Sequence, residues 1–130
     1  MNPLENAIQT VTAVIRSDGA ETRVRGTLRA LPDGRQELAY RERELDDSET
    51  VFRFGGTQAE MLRTGAYAAE MFFGRPGTQP LVYSTPYGKL TGSLRTDSCS
   101  SGAGFAELRY RIRWADGPWE PHTMTVRIIL

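Results

Sequence analysis

The sequence has very few of the side chains on which metal, disulfide and thiol chemistry depends. Its 130 residues include one cysteine, Cys99, and one histidine, His122. A single cysteine cannot form a disulfide within the chain, which is typical of a reducing compartment. A metal site normally takes two or three closely spaced His, Cys or carboxylate ligands. We therefore expect no disulfide, no metal site and no cofactor.

The chain also lacks a surplus of either charge and has no long apolar run. The 16 Lys and Arg residues balance the 16 Asp and Glu residues, so the formal net charge is zero. Nucleic acids and anionic membranes select proteins with excess positive charge, so we expect neither as a partner. No apolar run approaches the length that spans a bilayer, and the first residues lack the features of a signal peptide. These absences predict a cytoplasmic protein.

Turn-forming residues, by contrast, recur along the whole chain. Clusters such as Asp18-Gly19, Pro32-Asp33-Gly34 and Pro86-Tyr87-Gly88 favour a left-handed backbone or interrupt a ladder. Their spacing of roughly 9 to 16 residues is typical of strands that are joined by short hairpins. Residues 98–104, which are mostly small, are predicted to form another such loop. Because the composition does not change along the chain, we expect a single domain that comprises residues 1–130.

Between the turns, apolar and polar residues alternate with a period of two. The alternation is clearest in residues 22–30, 105–114 and 122–128, and it indicates strands with one buried face and one wet face. Several of these strands are about ten residues long, which suits the tilted strands of a barrel better than a two-sheet sandwich. We predict an all-β fold, a closed antiparallel up-and-down barrel of about eight strands or slightly more. Its predicted interior includes Val24, Leu28, Leu38, Tyr40, Leu108, Tyr110, Ile112, Met124 and Val126.

A set of short motifs follows one another in a consistent order along nearly the whole chain. They are Leu38-Ala39-Tyr40-Arg41-Glu42, Met61-Leu62-Arg63-Thr64-Gly65, Phe72-Phe73, Tyr83-Ser84-Thr85-Pro86-Tyr87-Gly88, Leu108-Arg109-Tyr110 and His122-Thr123-Met124-Thr125-Val126. The ordered set resembles the YwiB-like family of bacterial proteins. The resemblance implies a calycin-like barrel of roughly lipocalin shape. It implies no activity and no catalytic residue, because the function of that family is unknown.

The two-residue period also assigns several polar side chains to the barrel interior. Glu42 shares a face with Leu38 and Tyr40, and Arg63 shares a face with Met61. The complete set of predicted ligand-contacting residues is Tyr40, Glu42, Arg63, Tyr83, Tyr110 and His122. These groups would either orient a small ligand or satisfy one another, because an unpaired buried charge is costly. We expect Glu42 and Arg63 to meet directly or through one water molecule.

The sequence leaves several functions open. Our leading hypothesis is a non-enzymatic barrel that binds a small, mostly apolar ligand in its interior. One alternative is a structural or interaction protein whose barrel is filled by its own side chains. Others are an enzyme that uses Glu42 or His122 as its base, and a barrel that holds haem through His122. A cavity of a few hundred Å3 would favour binding or catalysis over a filled barrel.

Two surface features bear on partners. Phe72 and Phe73 are adjacent and must take opposite faces, so one of them is predicted to lie at a homodimer interface or a barrel mouth. Arg109, Arg111 and Arg113 form an outward row, but no aromatic residues are interleaved on that face as single-stranded nucleic acids would require.

Overall fold

The computed structural model describes residues 7–129, and within them it shows ten β-strands and one short 3-10 helix, Arg43–Leu45. Among these residues no helix has the length and apolar character that crossing a membrane would need. The strands are β1 (Ile8–Ser17), β2 (Ala20–Ala30), β3 (Gln36–Glu42), β4 (Ser48–Gly55), β5 (Gln58–Thr64), β6 (Ala68–Phe73), β7 (Thr78–Thr85), β8 (Gly88–Gly102), β9 (Phe105–Trp114) and β10 (Trp119–Ile129).

The strands form one closed antiparallel barrel, in which each strand pairs with the next and β10 pairs with β1. The predicted class is therefore confirmed, but the strand number of about eight is wrong, since the barrel has ten. The physical reason lies in the middle of the chain. There β3 to β7 are only six to eight residues long, so this stretch holds more strands than a length of about ten residues allows.

All nine residues that were predicted to line the interior do so. Eight are buried, and Leu28 is partly buried against the core. Phe72 and Phe73 also take opposite faces as predicted. Phe73 is 1% exposed in the core, whereas Phe72 is covered on the outer wall by Arg75, whose guanidinium carbon lies 3.8 Å from the ring centroid. That cation–π contact covers Phe72 within the chain itself.

The prediction of a loop at residues 98–104 is wrong over most of its length. Strand β8 continues to Gly102, and only the hairpin turn between Gly102 and Phe105 lies outside a strand. A register shift between Thr96 and Ser98 bends β8, and beyond it β8 pairs with β9 alone. Such bulges redirect a strand, and small side chains let this one approach β4, β5 and β6 closely.

The bend in β8 seals one end of the barrel, which we call the closed end. Its connections are residues 30–36, 55–58, 73–78 and 102–105. The Gln36 side-chain amide donates to the carbonyl oxygen of Gly102 and accepts from Gly104 N–H, both at 3.0 Å. Ser101 Oγ donates to the carbonyl oxygen of Gly56, also at 3.0 Å. The opposite end, with connections 17–20, 42–48, 64–68, 85–88 and 114–119, is called the mouth.

A ladder of ion pairs fixes the register of β2 to β5 on the outer wall. Arg29, Glu37, Arg53 and Glu60 are successive cross-strand partners. Glu37 accepts from Arg29 Nε at 2.8 Å and from Arg53 Nε at 2.7 Å, and Arg53 also donates to Glu60 at 3.0 Å. Burial alone would raise the pKa of Glu37, but the bonds from Arg53 and Arg29 outweigh it and hold that pKa below its usual value. The ladder therefore stabilises the fold only while Glu37 is ionised.

Replacing Glu37 by glutamine should lower the free energy of unfolding by about 2 kcal/mol at pH 7, because two charge-assisted hydrogen bonds lose their anion. A group whose folded-state pKa is lowered contributes stability above its unfolded pKa, which is about 4.3 for glutamate. The difference should therefore shrink as pH falls below that value and vanish below the folded-state pKa. Urea unfolding at pH 7 and pH 3 measures it.

The control is Glu49→Gln, which removes an exposed ion pair with Arg41 and should cost only ~0.5 kcal/mol. A loss for Glu37→Gln that is equally large at both pH values would contradict the role of its charge.

Candidate functional site

A cavity of about 310 Å3 opens at the mouth of the barrel. This volume lies at the lower end of the range of about 300–1,000 Å3 that ligand pockets span. A cavity of this size also favours a barrel that binds a ligand over a barrel that is filled by its own side chains. The lining side chains come from β1, β2, β3, β5, β6, β9, β10 and the short helix, and they are Ile15, Ser17, Ala20, Thr22, Val24, Tyr40, Glu42, Leu45, Met61, Arg63, Met71, Tyr110 and Met124.

The polar part of the cavity wall is built on three adjacent strands. Tyr40, Thr50 and Arg63 lie opposite one another on β3, β4 and β5, and Glu42 is the next inward residue toward the mouth. Arg63 donates from Nε to Thr50 Oγ1 at 3.0 Å and from Nη2 to Glu42 Oε1 at 2.9 Å. Thr50 is fully buried, and its hydroxyl fixes the position of the guanidinium through this hydrogen bond. The predicted contact between Glu42 and Arg63 is direct.

Ser48 makes the rim beside this pair rigid. It is 1% exposed, its Oγ donates to the carbonyl oxygen of Leu45 at 2.6 Å, and it accepts from Tyr67 N–H at 3.1 Å. One hydroxyl therefore joins the β3–β4 connection to the β5–β6 connection. The strand ends that carry Glu42 and Arg63 are held together by these bonds, which keeps the two charges in register.

Two tyrosines complete the polar lining. Burial raises the pKa of Tyr40 to about 12, with a further contribution from the charge of Glu42. Burial likewise raises the pKa of Tyr110 to about 12, with a further contribution from the charge of Asp18. Both phenols therefore stay protonated near neutral pH and can donate as well as accept hydrogen bonds. Tyr110 is oriented by its neighbours, because it packs edge-on against Phe73 and stacks on His122.

His122 lies behind Tyr110 and does not line the cavity. Its Nδ1 is 2.7 Å from Asp18 Oδ2, and Asp18 Oδ1 accepts from Thr123 N–H at 2.8 Å. Burial opposes ionisation of Asp18, but these bonds outweigh it and lower its pKa. The carboxylate assigns the proton to Nδ1, and Nε2 is buried with no partner among residues 7–129. The pair positions the ring against Tyr110.

Tyr83 and Cys99 lie away from this group. The ring of Tyr83 packs beside Tyr67, with centroids 6.4 Å apart, and neither residue is among those that line the cavity. Cys99 faces inward on β8, two strands from His122, and burial raises the pKa of its thiol. A raised pKa disfavours the nucleophilic thiolate. Of the six predicted residues, the cavity therefore brings together Tyr40, Glu42, Arg63 and Tyr110.

Three residues that position the site were not singled out from the sequence. Thr50 and Ser48 share the inward face of β4, and the two-residue period of the sequence is enough to predict that face. Their hydroxyl groups carry no charge, so their burial does not by itself indicate a functional site. Asp18 belongs to a recognisable Asp-Gly turn. Its left-handed backbone, with φ of 51°, suits an aspartate in such a turn, and only the pairing of β1 with β10 brings it to His122.

A larger concavity of about 590 Å3 lies at the closed end. Its wall mixes inward residues, such as Leu28 and Ile128, with outward residues, such as Phe105 and Arg127. It therefore lies across the rim beside Gln36, between inward and outward side chains. Among residues 7–129, no three His, Cys, Asp or Glu side chains are grouped as a metal site would require.

Replacing Arg63 by methionine should lower the free energy of unfolding by about 2 kcal/mol, because Glu42 then keeps its charge without a partner. The side chains are 14% and 21% exposed, so the cost should lie between that of a surface pair and that of a fully buried one. The double variant Glu42→Gln/Arg63→Met should lose clearly less than the sum of its two single variants in thermal melting. Additive losses would show that the two groups do not interact energetically.

Residues 7–125 match a family that is described as a domain of unknown function, DUF1934. The barrel is also similar to the crystal structure of the ywiB protein from Bacillus subtilis. The TM-score is 0.63, and the likeness covers 95% of this chain and 91% of that chain. At 19% sequence identity, it shows a common fold. No curated protein matches the chain. The family match and the shared barrel confirm the resemblance, and the chain belongs to the DUF1934 family, a YwiB-like family of unknown function.

Proposed function

We propose that this protein is a calycin-like, non-enzymatic barrel that binds a small, mostly apolar molecule in the mouth cavity. The observation that supports the proposal is the contrast between the two ends of one interior. The closed end is sealed by Gln36 and the bent β8. The mouth retains about 310 Å3, with an ion pair in its wall. An apolar cup with a few fixed polar groups is the usual form of a small-molecule site.

The chemistry of the lining supports binding better than catalysis. The carboxylate of Glu42 is already paired with the guanidinium of Arg63, which occupies its Oε1. His122 lies outside the cavity lining, and its Nε2 is buried. That burial also argues against an axial role toward haem. Apolar atoms dominate the remaining wall, where Met61, Met71 and Met124 contribute flexible side chains that adapt to an irregular ligand.

Filling the cavity should abolish binding of a neutral apolar probe. Thr22 lines the cavity from the inward face of β2, so the indole of Thr22→Trp should occupy the space. The neutral dye N-phenyl-naphthylamine should show a strong fluorescence enhancement with the wild type. The affinity of the dye for the variant should be lower by about tenfold or more, because an added ring in a close-packed site excludes the ligand.

The matched control is Thr27→Trp, which makes the same change on the same strand at an exposed position of the outer wall. It should bind the dye as the wild type does. Equal binding by both variants would place the dye elsewhere, such as in the concavity at the closed end, and would contradict the proposal.

A further inference from the structure

The Glu42–Arg63 pair keeps hydrogen-bonding capacity at the cavity wall. Arg63 uses Nε for Thr50 and Nη2 for Oε1 of Glu42. Arg63 has five N–H donors. Thr50 and Glu42 take one each, and the Tyr40 hydroxyl takes a third. Within residues 7–129, Oε2 of Glu42 accepts no hydrogen bond. Oε2 of Glu42 remains accessible, because the one buried and unpartnered polar side-chain atom in this part of the chain is His122 Nε2. The pair therefore offers N–H donors of Arg63 as well as an acceptor oxygen of Glu42 in the cavity lining.

The pair is neutral as a unit, and this restricts the charge of a ligand. A carboxylate or phosphate beside Arg63 would also stand beside Glu42, and an ammonium beside Glu42 would stand beside Arg63. Attraction to one partner is then largely offset by repulsion from the other. A charged ligand also loses hydration when it enters an apolar cavity. A neutral polar group avoids both costs and gains two hydrogen bonds to charged partners.

We propose that the ligand carries a neutral polar head in which a hydrogen-bond acceptor lies next to a donor, as in a primary amide or a lactam. This inference rests on the proposed binding function. The carbonyl oxygen of the head accepts from Arg63, and its N–H donates to Glu42. The apolar body extends away from the mouth toward Met61, the next inward residue of β5, and toward its cross-strand partner Met71.

Three probes of equal chain length test the charge rule. Hexanamide, hexanoate and hexylammonium are titrated separately into the labelled protein at pH 7, and binding is followed by NMR chemical shifts. The wild type should bind hexanamide about tenfold more tightly than either ion, which is the difference that roughly one net hydrogen bond makes.

Variants of the pair should change this preference in a defined direction. Glu42→Gln leaves Arg63 without an anion, so hexanoate should become the tightest of the three probes. The double variant Glu42→Gln/Arg63→Gln is neutral again and should restore the preference for hexanamide. It also keeps the test decisive if the single variant fails to fold. Glu49→Gln, which alters an ion pair on the outer wall, should leave the wild-type order unchanged.

The inference would be overturned if hexanoate bound the wild type as tightly as hexanamide, or if no probe bound at all. It would also be overturned if Glu42→Gln kept the wild-type order of the three probes. If Glu42→Gln does not fold, the double variant decides instead, and any order other than a preference for hexanamide would overturn the inference. In each case the proposed function is judged separately, by whether Thr22→Trp loses the neutral dye while Thr27→Trp retains it. If the probes fail but the dye test succeeds, the cavity binds a ligand whose polar head differs from the one proposed. If both tests fail, the cavity binds no ligand.

Discussion

β1 pairs with β10 along most of its length, from Thr12 opposite Ile129 to Ser17 opposite Met124. This pairing joins the first strand to the last, so that the sheet has no free edge between them. Closure converts the two-residue period of every strand into a single division between an inside and an outside. It also brings the β1–β2 turn to β10, where Asp18 meets His122. The position of His122 therefore depends on a contact between residues that are far apart in the chain.

The polar groups at the two ends of the interior find their hydrogen-bond partners in different ways. At the closed end, the Gln36 amide satisfies backbone groups of the β8–β9 turn, beyond the bulge of β8. At the mouth, polar atoms are satisfied by a charged pair and by hydroxyls from β4. Such a pair contributes little net stability once its desolvation is counted. Its geometry is held by Thr50 on β4, and Ser48 on the same strand joins the two neighbouring connections.

The sequence was sufficient to predict the barrel, its interior face and the contact between Glu42 and Arg63, because all three follow from parity. Parity gives the face on which a side chain lies but not its height in the barrel or its angle around the axis. For this reason Tyr83 and His122 were grouped with the cavity residues, although the structure places them outside its lining. The predicted strand number is too low because β3 to β7 are short. The predicted loop at residues 98–102 is wrong because small residues favour both turns and closely approached strands.

On the proposed function, a ligand enters at the mouth with its apolar body among the methionines. The most direct test is the set of intermolecular NOEs between bound hexanamide and isotopically labelled methyl groups of methionine, leucine and isoleucine in the wild-type protein. We expect NOEs to the methyl groups of Met61, Met71 and Met124, which line the cavity. NOEs confined to residues of the closed end, such as Leu28 and Ile128, would contradict it.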